Sequence, residues 1–228
     1  MQGELSAALD GFLQRNIVPV GAGRTDAGVH ACGQVAHFDT DSKHDPERMK
    51  RALNAILPED IAIKAVRDVP GDFHARYSAL SKRYRYCISM AKSPLLRRQA
   101  WTLHRPKLDV ASMRDASRLL RGVHGFEAFC NHDPPPDSFL CDIADCQWMT
   151  TGDEIVLEIE ANRFLRHMVR VIVGTLVEVG RGKMSAASIG ELLTAPDAGN
   201  EGIAQRSEAG PTAPACGLCL LYVKYEGD

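Results

Sequence analysis

One carboxylate and one guanidinium sit among three glycines in Gly21-Ala22-Gly23-Arg24-Thr25-Asp26-Ala27-Gly28-Val29-His30, the most unusual stretch of the chain. A carboxylate held on a rigid loop acts as nucleophile or base, and glycines let a ligand approach the backbone closely. The same residues also suit a plain turn, with Asp26 capping the bend and the glycines supplying positive φ. Two cofactor signatures are excluded. No Gly-Lys-Ser/Thr follows, as a phosphate-binding P-loop requires, and the glycine spacing departs from the dinucleotide fingerprint.

Two further groups of side chains could join Asp26. In Lys82-Arg83-Tyr84-Arg85-Tyr86-Cys87-Ile88, strand alternation places Tyr84 and Tyr86 on one face and Arg83 and Arg85 on the other. One tyrosine face suits the core, so each ring is either packing or a stacking surface. Arg163, Arg166 and Arg170 fall at i, i+3 and i+7 beside apolar Phe164, Met168, Val169 and Ile172. An arginine on such a helix reaches water or finds a carboxylate. For Arg170, Asp26 is a candidate partner. Cys216 and Cys219 match the bare CxxC pattern of redox and metal sites. In a strand, however, positions i and i+3 point to opposite faces and the sulfurs diverge. Cys141 and Cys146 are of opposite parity too, and His30, His37 and His167 fall in no ligand spacing, so no metal site is expected.

The elements that must position these groups read as a mixture of helices and short strands. Leu5, Ala8, Leu9, Phe12 and Leu13 make a first amphipathic helix, and Met49, Ala52, Leu53, Ile56 and Leu57 a second that Pro58 stops. A third starts at Asp109 as N-cap and runs through Met113, Ala116 and Leu120. The fourth spans about 163–179, and a short fifth follows Ser185 with Ile189, Leu192 and Leu193. Strands are expected at 17–20, 34–38, 61–66, 82–89, 143–148, 155–160 and 218–225, which are rich in β-branched or aromatic residues. Helices mixed with adjacent strand pairs point to an α+β fold with a largely antiparallel sheet. Helix followed by strands occurs twice, so two similar halves are expected. Residues 1–95 would carry Asp26 and residues 96–228 would complete the site.

Composition narrows the function classes. The chain has 228 residues, 45% hydrophobic and 25% charged, with prolines and glycines scattered along it. Fibrous, low-complexity and wholly disordered readings fail on those figures. The apolar run 171–177 is far shorter than the roughly 20 residues that span a bilayer. The first residues show no basic n-region and no long apolar stretch, and seven dispersed cysteines make no disulfide framework of the secreted kind. A reducing cytoplasm is the expected compartment, with no membrane partner.

A net charge of −2 argues against a generally basic nucleic-acid coat, yet charge is sorted along the chain. Residues 73–108 contain no Asp or Glu and nine positive charges: Arg76, Lys82, Arg83, Arg85, Lys92, Arg97, Arg98, Arg105 and Lys107. Such a run makes a solvated basic face or a track for a polyanion. Tyr77, Tyr84, Tyr86 and Trp101 lie within it, and rings beside cations suit RNA bases and phosphates together.

Four blocks carry a resemblance to a known family: GAGRTDAGVHACGQVAHFDT at 21–40, DFHARYSALSKRYRYCI at 72–88, NRFLRHMVRVIVGTLVEVG at 162–180 and APACGLCLLYVKY at 213–225. The chain resembles the tRNA pseudouridine synthase A family. That resemblance implies isomerisation of uridine to pseudouridine in the tRNA anticodon arm, at positions 38 to 40, with neither metal nor organic cofactor. It implies two ferredoxin-like-related halves sharing one sheet, with helices on one face and a basic cleft between the halves. It also implies a homodimer in which one tRNA touches both subunits. Position by position, Asp26 corresponds to the catalytic carboxylate, Arg170 to the arginine that pairs with it, and Tyr84 to the ring stacked on the target uracil. Leu218 corresponds to the apolar pocket wall, and Arg24 to the residue that helps displace the base. Arg76, Lys82, Arg83, Arg163 and Arg166 are the expected RNA contacts.

The chemistry asks for these residue types. The N1–C1′ glycosidic bond breaks, the uracil turns while held, and a C5–C1′ bond forms. A carboxylate either attacks C1′ or removes a proton to give a glycal-like intermediate, and both routes remain open. A uracil in a stem must first be flipped out, which costs a few kcal/mol. Family members also begin with a strand bearing a Tyr-Asp-Gly-Thr-like segment ahead of the helix that starts here at Gln2. That strand is expected to be missing from the first half's sheet, and a catalytically silent RNA-binding protein is the alternative reading this leaves.

Overall fold

Leu5, Ala8, Leu9, Phe12 and Leu13 line one side of the first helix, α1 (Gln2–Leu13), and Ala8 and Leu9 are fully covered. The computed structural model describes residues 1–104, 106–195 and 204–227, so Arg105 of the basic run lies outside the described residues. Along the chain follow three two-residue strands, β1 (Val20–Gly21), β2 (His30–Ala31) and β3 (Ala36–His37), and then α2 (Pro46–Ile56). Asp45 caps α2 by accepting a hydrogen bond from the Arg48 N–H at 2.9 Å, and Pro46 occupies the first turn, where its missing N–H costs nothing.

The chain forms two units, Met1–Arg24 with Gln34–Ala79, and Thr25–Gly33 with Leu80–Asp228. In the first, β1 pairs antiparallel with β3, and α1 and α2 enclose a small core of Ala8, Leu9, Ile17, Met49, Leu53 and Leu57. The strand expected at 61–66 does not form. The backbone hydrogen bonds of Ile63 go instead to a side chain. The Ile63 N–H donates to Asn54 Oδ1 at 2.7 Å and Asn54 Nδ2 donates to the Ile63 carbonyl at 2.9 Å. One side-chain amide thus takes the place of a neighbouring strand.

The second unit contains β4 (Ser81–Ser89), β5 (Trp101–Thr102), α3 (Val110–Arg118), β6 (Gly122–Gly125), β7 (Leu140–Thr151), β8 (Glu154–Ala161), α4 (Met168–Gly180), α5 (Ser188–Glu191) and β9 (Leu218–Lys224). The sheet runs β2-β9-β4-β8-β7-β6, with β5 beside β4. The β2–β9 and β4–β5 pairings are parallel and the others antiparallel, so the α+β expectation of a mostly antiparallel sheet holds at that level. Asp109 caps α3 as its sequence predicts, accepting from the Ala111 and Ser112 N–H groups. Strands β2, β5 and β6 were not expected.

Helix α4 is the hub of the unit. Five of its residues are valine, a poor helix former, so burial rather than propensity holds it. Met168, Val171, Ile172, Val173, Leu176 and Val177 are fully buried in one cluster with Met113 and Ala116 of α3, Leu120 just beyond it, and Ile143, Leu157 and Ile159 of the sheet. Each such side chain contributes about 1.5–3 kcal/mol relative to exposure. The helix begins at Met168, not near 163. Asn162 Oδ1 accepts from its neighbour's backbone, the Arg163 N–H at 2.7 Å, and from the Asp142 N–H at 3.0 Å, which diverts the chain from helical bonding. His167 is then left-handed. The stripe of Arg163, Arg166 and Arg170 therefore does not form on one helix. No described helix is long and apolar enough to cross a membrane.

Candidate active site

The loop carrying Asp26 enters the second unit at Thr25. The Val29 N–H donates to the Asp26 carbonyl at 3.0 Å, closing a turn in which Gly28 has φ +84. That conformation, rather than shortage of space, requires glycine, since an added Cβ would only touch the Ala215 Cβ at 3.4 Å. The chain then continues as β2, pairing His30 with Cys219 and Ala31 with Leu220 of β9. Turn and strand together fix the Asp26 backbone, and its side chain is free to turn away from the bend.

Arg170, in the first turn of α4, meets it. Nη1 donates to Asp26 Oδ2 at 2.6 Å, a charge-assisted contact, and Nε donates to the Ala213 carbonyl at 2.7 Å. The Ala213 N–H in turn donates to the Arg170 carbonyl at 3.0 Å. Two bonds in different directions thus aim the guanidinium. The pair is sheltered but not sealed, with side chains 17% and 30% exposed. On the other carboxylate oxygen, Oδ1, His167 Nε2 lies 3.4 Å away.

Tyr84 of β4 belongs to the same pocket. Its ring meets Phe164 edge to face at 5.1 Å and 89°. Burial, and then the negative charge of Asp26, push its phenol up to about 12. Tyr84 is therefore a neutral ring over the working range, suited to stacking on a base. Its neighbour on the same face, Tyr86, is wholly buried and donates its hydroxyl to the Pro214 carbonyl at 2.7 Å, so one tyrosine packs while the other lines the site. Leu218, at the start of β9 opposite Tyr86, is buried in the cluster against which Tyr84, Phe164 and Val29 pack.

Arg24 is exposed and belongs to the first unit, as does Arg76, whose guanidinium sits 5.5 Å from the Tyr77 ring centroid. Lys82 is half-buried in β4, across from Ala161 and Val223. Arg166 donates to the Asp133 carbonyl and Arg163 is half-buried just before α4. Arg83 is engaged by three carboxylates: Asp145 at 2.9 Å, Glu158 at 3.0 Å and Glu160 at 3.2 Å. Arg85 also pairs with Glu158, at 2.7 Å. The acid-free run in sequence is thus neutralised in part by acids on β7 and β8.

That network makes a prediction. Burial acts to raise the Glu160 carboxyl, but hydrogen bonds from Ser81 and Tyr222 and the charge of Arg83 outweigh it and leave the group below its ordinary value. A depressed carboxyl stabilises the fold above its unfolded value, and the contribution disappears as pH falls through the folded one. Arg83→Met removes the cation shared by Asp145, Glu158 and Glu160, leaving Glu158 to Arg85, and is expected to lower stability by about 2 kcal/mol at pH 7. The deficit closes as pH falls through the lowered Glu160 value, where that carboxyl takes up a proton in the wild type as well. Urea melts at pH 7 and in acid check it, and a deficit that widens in acid contradicts the network.

Three site residues carried no signal in spacing alone: His167, Phe164 and Ala213, whose carbonyl aims Arg170. His167 stands three positions before Arg170, a separation that would have raised it only if the turn ahead of α4 were known. The CxxC sulfurs go to different partners. Cys216 donates to the Ala100 carbonyl at 3.6 Å, whereas Cys219 lies 3.5 Å from Cys32. Among the described residues no group of three or more His, Cys, Asp or Glu could hold a metal.

A family model described as tRNA pseudouridine synthase matches residues 2–78 and 116–226. Asp26, Arg170 and Leu218 fall inside the matched stretches, and Tyr84 falls between them. The tRNA pseudouridine synthase A of Chloroflexus aurantiacus is 44% identical over 233 residues, which cover 99% of this chain and 80% of that protein. That of Moorella thermoacetica is 44% identical over 227 residues, covering 99% and 89%. That of Geobacillus kaustophilus is 41% identical over 230 residues, covering 100% and 86%. On a match of this extent the chain belongs to the tRNA pseudouridine synthase family, isomerases that convert uridine to pseudouridine.

Proposed function

We propose that this protein isomerises uridine to pseudouridine in the tRNA anticodon stem-loop, at positions 38–40, with Asp26 as the reacting carboxylate and without metal or organic cofactor. The observation that carries the reading is the 2.6 Å ion pair between Asp26 and Arg170, with the Tyr84 ring close enough to feel the Asp26 charge. An acid neutralised by one fixed guanidinium is oriented before substrate arrives, which is how positioned groups lower a barrier.

In this reading a flipped uridine stacks on Tyr84, with Leu218 closing the apolar side. Asp26 acts at the ribose, by addition to C1′ or by removal of a sugar proton. The N1–C1′ bond breaks and the held uracil rotates; C5 then bonds to C1′ as the Asp26–C1′ bond breaks or, on the other route, as the sugar proton is returned, and the C5 proton leaves while N1 takes one up. Atoms and electrons balance with no external oxidant or reductant. Arg24 assists displacement of the base, and Arg76, Lys82, Arg163 and Arg166 contact phosphates, with Arg83 among them only insofar as its carboxylates release it. Residues 1–95 supply the acid and residues 96–228 complete the site. The enzyme works as a cytoplasmic homodimer on the anticodon arm.

Tritium release from C5-labelled uridine in tRNA, with mass spectrometry locating the product, tests the reading. Release at positions 38–40 supports it, and tRNA binding without release favours a silent RNA-binding protein. Tyr84→Ala is expected to lower turnover about 10²-fold through lost stacking, worth about 1–3 kcal/mol per base. Because the phenol sits at about 12, the pH–rate curve should show no limb from Tyr84 below that value.

A further inference from the structure

His167 occupies the N-cap of α4, where Ser, Thr, Asp or Asn ordinarily accepts a hydrogen bond from the first turn. Its side chain makes no such bond. Its backbone is left-handed, φ 65 and ψ −1, a conformation uncommon for residues other than glycine. Among the described non-glycine residues the only other positive φ is that of Gln14, which ends α1, and a left-handed residue is an ordinary way to end a helix. Starting a helix has no such need. The segment is held on both sides: the Met168 N–H donates to the Leu165 carbonyl at 3.2 Å, and the Val171 N–H donates to the His167 carbonyl at 3.0 Å. Backbone strain of this kind gathers at functional sites.

The strained residue carries its imidazole to the acid. Nε2 lies 3.4 Å from Asp26 Oδ1, while Arg170 holds Oδ2 at 2.6 Å. We infer that His167 is a positioning residue for the reaction, fixing the plane of the Asp26 carboxylate so that Oδ1 is the oxygen presented to the ribose. This rests on the reading of Asp26 as the reacting group. The short contact from Arg170 occupies Oδ2, which leaves Oδ1 to react. At 3.4 Å the imidazole stands against Oδ1 at contact distance and limits how the carboxylate can turn about its Cβ–Cγ bond, while the lone pairs of Oδ1 stay available to the ribose.

Three variants separate the imidazole from the backbone it rides on. His167→Gly and His167→Asn both accept positive φ, and neither reaches Asp26; His167→Gln restores the reach. Asp26→Asn is assayed beside them on the same C5-tritiated tRNA transcript. The Gly and Asn variants are expected to lose about 10²-fold in kcat with KM within about threefold, the usual cost of a reacting group misplaced by an ångström. His167→Gln should recover about tenfold of that loss, which a purely structural role would not allow. Wild-type kcat in His167→Asn, a loss confined to KM, or a Gln variant no better than Asn overturns the inference. If Asp26→Asn is inactive while His167→Asn turns over normally, this inference alone fails. If Asp26→Asn retains turnover, the reading beneath it fails as well.

Discussion

Asp26→Asn is expected to reduce pseudouridine formation by at least about 10³-fold, the scale on which loss of a reacting group is felt. The change removes one charge and almost no volume. An Asn side-chain oxygen still accepts from Arg170 Nη1, and the Arg170 bond to the Ala213 carbonyl does not involve residue 26. The loop also keeps its turn, because the Val29 N–H donates to the backbone carbonyl of residue 26 and not to its side chain. The fold should therefore survive with a melting temperature close to wild type. Binding of tRNA should stay within about threefold or strengthen, since a negative charge is removed from the site proposed to receive a nucleotide of a polyanion. Tritium release and a filter-binding isotherm on one preparation check both halves. Turnover near wild type would refute the assignment of Asp26, and a matching loss of affinity would recast it as a binding residue.

The sequence was most informative where a local rule decides the structure. Period-two alternation placed Tyr84 and Tyr86 on one face of β4, and the register with β8 and β9 keeps them there. Asp109 capped its helix because capping is a matter of three residues. Periodicity misjudged the start of α4, since Phe164 and Leu165 extend the apolar pattern backwards while the Asn162 carboxamide ties up the backbone that a helix would need. The segment 61–66 has strand composition, but a strand exists only with a partner, and its partner is the amide of Asn54. Charge misled for the same reason. The acid-free run 73–108 is an observation about neighbours in sequence, whereas Arg83 and Arg85 meet their acids across the sheet. Of the candidate site, the pairing of Asp26 with Arg170 was anticipated from residue types, and the two groups do meet. His167 was not anticipated, because its placement depends on a backbone angle that residue spacing does not encode.

Gly174→Ala should have the largest effect on stability, although Gly174 touches no substrate. In an exposed helix the change would stabilise by about 1 kcal/mol, because glycine is the poorer helix former. Here the new Cβ would fall 1.7 Å from the Pro211 carbonyl oxygen and 2.8 Å from its carbon. Both are backbone atoms, so no side chain can swing aside. The segment 210–213 is bonded to the face of α4 that Gly174 occupies. The Gly210 N–H donates to Thr175 Oγ1 at 3.0 Å and the Ala213 N–H donates to the Arg170 carbonyl at 3.0 Å. Relieving the clash means lifting that segment, at the cost of both bonds and of packing on a helix that is almost wholly buried. Destabilisation of about 3 kcal/mol or more follows, beyond the common range for overpacking, with a fall in melting temperature of about 10 °C. The lifted segment also carries the Ala213 carbonyl that aims Arg170. The fraction still folded at low temperature should therefore turn over slowly, with the deficit in kcat rather than in tRNA affinity. A Gly174→Ala protein that melts at or above the wild-type temperature would show that the 210–213 segment does not lie on α4, and the support assigned to the Arg170 guanidinium would fall with it.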